Sequence, residues 1–274
     1  EALRTLSAAG SSAADSVGAL RRAEANPGPL ATAARALGLP LVEVARGLLG
    51  SPLAAGATVR ALCEAKYPAP LMVKALSQLA LSATELTQAF EAADLKPGEL
   101  VAGFRGLYAS DVEVASALLK AGRSAAAVAE LLRSAGVDEG AVVAALKRAG
   151  VGCTEIGKTL SAEPPQRVAR LRELKCSAQD IAQVLEAQAV PRADIVALLR
   201  QGGLDRTAIA GALKALALHA PEIASEMRDA EYDANDIALA LRLSGFKSDE
   251  VSQALVNAEF EGEEIPDALA YAGF

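Results

Sequence analysis

The sequence predicts an all-α fold, an α-solenoid of about nineteen short helices in fourteen-residue repeats, and three observations carry that prediction. The last forty-two residues break into three copies of one unit: DANDIALALRLSGF (Asp233–Phe246), KSDEVSQALVNAEF (Lys247–Phe260) and EGEEIPDALAYAGF (Glu261–Phe274). In each copy the apolar residues at places five and nine are four apart and so share one face of a helix. The ends of that helix are marked as well, by capping or acidic residues at its start and, in many units, a glycine near its close.

Taken in order, the frame runs without a gap through ten units that begin at Ser12, Asn26, Pro40, Ala54, Pro68, Ser82, Lys96, Ser110, Ser124 and Asp138. Place nine then reads Leu20, Ala34, Leu48, Leu62, Leu76, Phe90, Phe104, Leu118, Leu132 and Leu146, large and apolar in every unit but one. Residues 1–11 form an imperfect terminal unit, read as a capping or frayed helix. After Val151 the frame slips. A unit at Gly152 keeps Glu155, Ile156 and Leu160 in place but is three residues short, and the next opens at Glu163 with Pro164-Pro165. Eight further units follow in register from Glu163, Ser177, Pro191, Asp205, His219, Asp233, Lys247 and Glu261. The slip over 152–165 reads as a kink within one solenoid spanning 1–274, because stacked repeats share a continuous core.

The local signals agree with this frame. Ser82, Ser110, Ser177 and Asp233 stand at place one with Glu85, Glu113, Asp180 and Asp236 three residues on, which is capping-box spacing. Ten of the twelve prolines fall at places one to four, where a helix needs no N–H; Pro266, at place six, is expected inside a helix. Gly38, Gly122, Gly136, Gly150, Gly203, Gly245 and Gly273 occupy place thirteen, as left-handed residues closing a helix do. Ten-residue helices are only ~15 Å long and marginal alone, so each depends on its neighbours. Four-residue turns set successive helices roughly antiparallel.

Composition narrows the chemistry. With no Trp and aromatics at 3%, the core must be built of small and aliphatic side chains. The net charge of −7 disfavours nucleic acid as a partner. Three cysteines, Cys63, Cys153 and Cys176, are an odd number at long unequal spacings, which suits neither a disulfide framework nor a zinc site and favours a reducing, cytoplasmic compartment. Cys176, at apolar place fourteen, reads as a buried small hydrophobe. His219 is the only histidine and opens a unit, so Ser-His-Asp triads and zinc sets lack their parts. No catalytic, cofactor or metal residue is expected. No apolar run is long enough to span a bilayer. A chain opening at Glu1 rather than Met reads as an excised piece of something longer, or a processed chain.

Two charged columns remain. Acids at place four, such as Glu85, Asp236 and Glu250, suit the positive end of a helix dipole. Bases recur at place ten, where they complement the negative end, and antiparallel neighbours would bring them near the place-four acids. Arg105, Arg133, Lys147, Arg172, Arg200, Lys214, Arg228 and Arg242 would then form a cationic ladder able to meet a partner. In general plan the repeat resembles α-solenoid arrays such as the HEAT, armadillo and tetratricopeptide proteins, although its single-helix period is shorter than their two- or three-helix units. The expected function is a non-enzymatic scaffold or spacer for protein–protein interaction. The alternative is a nucleic-acid-binding solenoid that uses the ladder. Open ends of the stack would allow self-association.

Overall fold

A computed structural model describes residues 1–50 and 55–274, and every regular element among them is an α-helix. The chain divides into two compact units, Glu1–Gly150 and Val151–Phe274, at the point where the frame slips. The first holds α1 (Ala2–Ala8), α2 (Ala13–Arg22), α3 (Pro27–Ala36), α4 (Leu41–Leu49), α5 (Ala55–Glu64), α6 (Ala69–Gln78), α7 (Ala83–Ala92), α8 (Pro97–Arg105), α9 (Asp111–Lys120), α10 (Ala125–Ser134) and α11 (Glu139–Arg148). The second holds α12 (Cys153–Thr159), α13 (Pro164–Glu173), α14 (Ala178–Ala187), α15 (Arg192–Gln201), α16 (Arg206–Ala215), α17 (Ala220–Asp229), α18 (Ala234–Leu243), α19 (Ser248–Asn257) and α20 (Glu264–Ala272). The helix beyond the expected nineteen is α1, from the imperfect terminal unit. The predicted start at Ala54 falls outside the described residues.

Within each unit a helix packs most extensively on the helix two along, α2 on α4 and α3 on α5, or α16 on α18 and α17 on α19, and less on its immediate neighbours. Odd and even helices therefore form two layers with the core between them. Place nine supplies that core: Leu48, Leu118, Leu146, Leu185, Leu213 and Leu241 are completely buried. Each contributes about 1.5–3 kcal/mol of burial that a lone ten-residue helix could not gain. Small residues let the helices close up. A Cβ added to Gly47 of α4 would stand 2.6 Å from the Ala14 carbonyl oxygen and 2.7 Å from the Val17 Cβ of α2.

The helix starts follow the capping signals. Ser82, Ser110 and Ser177 each close a reciprocal box with the acid three residues on. The Asp233 carboxylate accepts the Asp236 N–H at 2.7 Å. Hydrogen bonds from the Ser82 backbone and hydroxyl hold the Glu85 carboxyl below its ordinary range. Helix α20 begins two residues later than the frame predicts, at Glu264, so Pro266 lies in its first turn rather than its interior.

The helix ends generalise the glycine signal. All seven place-thirteen glycines have positive φ, and so do Glu24, Lys66, Ala80, Asp94, Lys175, Ala189, Ala217, Glu231 and Glu259, which occupy the same place in other units. The N–H of place fourteen bonds back to place nine and that of place thirteen to place ten, as in Phe246 to Leu241 at 3.1 Å and Gly245 to Arg242 at 2.9 Å. The left-handed closure is therefore kept in most units even where an L side chain is strained by it. The exception at place thirteen among the described residues is Tyr108 behind α8, whose N–H bonds to the Phe104 carbonyl at 2.9 Å.

At the frame slip the cysteine expectation is overturned. Cys153, the first residue of α12, forms a disulfide with Cys176, which follows α13; their Cα atoms are 5.8 Å apart and 23 positions apart in sequence. Long spacing concealed the pair because two helices and the irregular turn between them fold the chain back on itself. Helix α12 has only seven residues and ends at Leu160 in extended geometry, without the left-handed closure used in most units. Arg167, at the place five that is Leu, Ile, Val or Met in all but two of the other units, where it is Ser16 and Thr58, covers this end. Its guanidinium donates to the Ala162 carbonyl at 2.6 Å and to Gln188 Oε1, while Gln188 Nε2 donates to the Gly157 carbonyl at 3.4 Å.

Candidate functional site

Place ten lies in the last turn of each helix, one face away from the core, so a long basic side chain there can reach past its own helix. In the second unit it reaches the end of the helix two along. Arg200 of α15 donates to the Ala230 carbonyl behind α17, its guanidinium 5.0 Å from the centre of the Tyr232 ring. Lys214 of α16 donates to the Ser244 carbonyl behind α18 at 2.6 Å and lies 4.4 Å over Phe246. Arg228 of α17 donates to the Ala258 carbonyl behind α19 and pairs with Glu259 at 2.9 Å. Arg242 of α18 donates to the Gly273 carbonyl behind α20 at 2.8 Å, 5.9 Å from the Phe274 ring. The Arg172 guanidinium of α13 lies against Gly203 behind α15.

The acceptors are the last carbonyls of a helix, which no intrahelical N–H reaches. Each base meets the negative end of a dipole; Arg200, Lys214 and Arg242 also meet the face of the aromatic ring at place fourteen, whereas Arg228 takes Glu259 instead. The Arg200 side chain is 46% exposed, so solvent screens the gain to about 1 kcal/mol.

The first unit uses the same contact less regularly. Arg35 of α3 donates to the Ala65 and Lys66 carbonyls behind α5 at 2.6 and 2.7 Å, 5.4 Å from the Tyr67 ring. Place ten of α5 is Cys63, and there Arg60, one turn earlier on the same face, donates to the Ala92 carbonyl behind α7 at 2.5 Å. Arg105 instead pairs with Asp111 at 2.8 Å and Arg133 with Glu139 at 3.3 Å, both acids at place two of the following helix. Lys147 stands in the last turn of α11.

The acid partners described for these bases thus sit at places two and thirteen, with Glu130 at place seven beside Arg133, and not at the expected place four. Helices two apart run parallel, as their C-terminus-to-C-terminus contacts require, and this places a base beside a helix end rather than beside a helix start. Arg60 escaped a reading confined to one column. The replacement of an apolar or small residue by Arg167 at place five was the visible signal for the frame slip's own plug.

The remaining candidates have structural surroundings. His219 caps α17, its backbone N–H donating to Glu222 Oε2 at 2.8 Å. The Cys63 sulfur lies 4.0 Å from that of Met72, and burial, reinforced by Glu99 and Glu64, pushes its thiol above the ordinary range, away from the reactive thiolate. Phe90 and Phe104 are buried in the core. Among the described residues no group of three or more His, Cys, Asp or Glu could hold a metal ion.

No protein-family model and no curated protein matches this chain.

Proposed function

We propose that the chain is a non-enzymatic helical-repeat scaffold or spacer that mediates protein–protein interaction or assembly. The observation that supports this reading is the use of the place-ten bases: Arg200, Lys214, Arg228 and Arg242 reach inward to helix ends instead of standing free along an edge. Binding to a nucleic-acid backbone draws on cations that can neutralise phosphates and release counterions. Cations already bonded to carbonyls, in a chain of net charge −7, serve that purpose poorly. Among the described residues no helix is long and apolar enough to cross a membrane. The Cys153–Cys176 disulfide fits an oxidising compartment better than the reducing cytoplasm to which the cysteine spacing pointed.

The test compares the wild-type chain with a variant carrying Arg200→Gln, Lys214→Gln, Arg228→Gln and Arg242→Gln. Thermal melting and titration with mixed-sequence DNA and RNA at low salt are measured on both. The scaffold reading expects a lower melting temperature for the variant and no nucleic-acid binding by either. Salt-sensitive binding by the wild type that disappears in the variant would favour the nucleic-acid solenoid instead.

A further inference from the structure

The even layer of the second unit presents a face that its internal packing does not use. Places seven and eleven of a helix are four apart and share a stripe, and parallel stacking sets the stripes of α14, α16, α18 and α20 side by side. Three of these stripes carry Gly211 and Ala215, Leu239 and Leu243, and finally Tyr271. Leu243 is 54% and Tyr271 55% exposed, large apolar side chains at the same place of adjacent helices. At that place the odd layer carries Gln201, Asp229 and Asn257. The apolar stripe is thus a property of one layer and not of the repeat.

A groove of about 440 Å³ runs between α16 and α18, with Leu204, Tyr232, Leu239 and Leu243 among its walls. Gly211 deepens the surface beside it. A Cβ added there meets nothing within 4 Å, so, unlike Gly47, this glycine is not required by packing inside the fold.

Acids outnumber bases around the face. Asp205 and the Arg206–Asp236 ion pair border the groove, and Asp267 lies one turn before Tyr271. The four helices carry only three bases, each bonded within the layer: Arg206 to Asp236, Lys214 to the Ser244 carbonyl and Arg242 to the Gly273 carbonyl. The second unit as a whole has twenty acids against twelve bases.

We propose that the outward face of α14, α16, α18 and α20 docks an amphipathic helix of a protein partner, its apolar side against Leu239, Leu243 and Tyr271 and its flanking Lys and Arg toward the acidic rim. Such a helix brings i, i+3, i+4 and i+7 anchors to a groove of this kind. A second copy of the chain would bring the same acidic surface and is disfavoured by like-charge repulsion. The proposal rests on the scaffold reading and names the surface and partner chemistry it would use.

The probe is a fluorescein-labelled eighteen-residue helix with Leu on one face and Lys on the other, titrated by anisotropy at ~150 mM salt. Its controls are a scrambled peptide of equal charge and a Lys→Glu version. The expected result is saturable binding of the basic amphipathic helix at least tenfold tighter than either control. Gly211→Arg and Leu243→Gln, both compatible with a helix, should each weaken it about tenfold without lowering the melting temperature. Equal binding of the scrambled peptide, or full affinity in both variants, would overturn the docking face. A concentration-dependent dimer lost in Gly211→Arg would overturn the partner in favour of self-association. Nucleic-acid binding by the wild type that survives Gly211→Arg would count against the scaffold reading, whereas failure of the peptide alone removes only this face.

Discussion

The two compact units share one repeat but spend their charge differently. Residues 1–150 carry fifteen bases and fourteen acids, while residues 151–274 carry twelve bases and twenty acids. In the second unit four successive bases, Arg200, Lys214, Arg228 and Arg242, make one contact in four successive settings. In the first unit the same need is met by Arg35 from place ten and by Arg60 from place seven, while Arg105 and Arg133 turn to acids. The difference teaches that the turn geometry, broken only behind α8 and α12 among the described helix ends, is far more constant than the chemistry around it. A left-handed place thirteen leaves carbonyls to be met, and any base within reach can meet them.

The strongest way to break the comparison is through the core that both units share. Leu146→Asp in the first unit and Leu241→Asp in the second each bury an unpartnered charge, and each is expected to cost more than ~4 kcal/mol. Hydrogen exchange should show the loss of protection centred on the unit that carries the substitution. Unchanged helicity and melting in either variant would contradict a core built on place nine.

Next in size is the staple that only the second unit possesses. Replacing Cys153 and Cys176 by Ser should cost about 3 kcal/mol, in keeping with closure of a loop of this length. Exchange should rise first in α12 and α13, where the short helix has Arg167 and Gln188 as its remaining ties. A dithiol reductant should reproduce the effect in the wild type and change nothing in the double variant.

Smaller effects sharpen the account of the turns. Ala189→Gly and Ala217→Gly relieve L residues held at φ near +60° and should each stabilise by about 1 kcal/mol, whereas Gly150→Val, at φ +91°, should destabilise by about as much or more. A neutral outcome at all three positions would remove the left-handed closure as a source of stability.

The smallest effect is electrostatic. Burial raises the Glu226 carboxyl, repulsion from Asp229 and Glu222 adds to the rise, and Arg192 opposes it. Its pKa is higher in the folded than in the unfolded chain, so the native state holds the extra proton and stability falls as pH rises through that interval. Glu226→Gln should therefore raise the melting temperature at neutral pH, an advantage that fades as both forms protonate below about pH 4.

Much of the fold was legible because its signals are local. Places five and nine, the capping boxes and the seven place-thirteen glycines each state their own geometry within one unit, and the structure bears them out. The nine other left-handed residues were not legible, since Ala189 and Glu231 carry no intrinsic preference for that region and are forced there by the packing of helices on either side. The disulfide was hidden for a related reason: the spacing of Cys153 and Cys176 reports a distance along the chain, and the irregular turn at 160–163 that shortens it in space follows no repeat rule. The place-ten column was legible, but its partners were not. They depend on which helix lies alongside, and the parallel stacking of alternate helices is a property of the layers rather than of any unit.

The measurement that tests this most directly is a double-mutant cycle on one base and the ring beneath it, Arg200→Gln and Tyr232→Leu, by denaturant unfolding. If bases clasp the helix two along, each single variant loses stability and the pair shows a favourable coupling of about 0.5–1 kcal/mol, diminished but not abolished by high salt. Strictly additive losses would remove the Arg200–Tyr232 contact from the account, and no loss at all in Arg200→Gln would contradict the clasp and leave the place-ten bases as free surface charge.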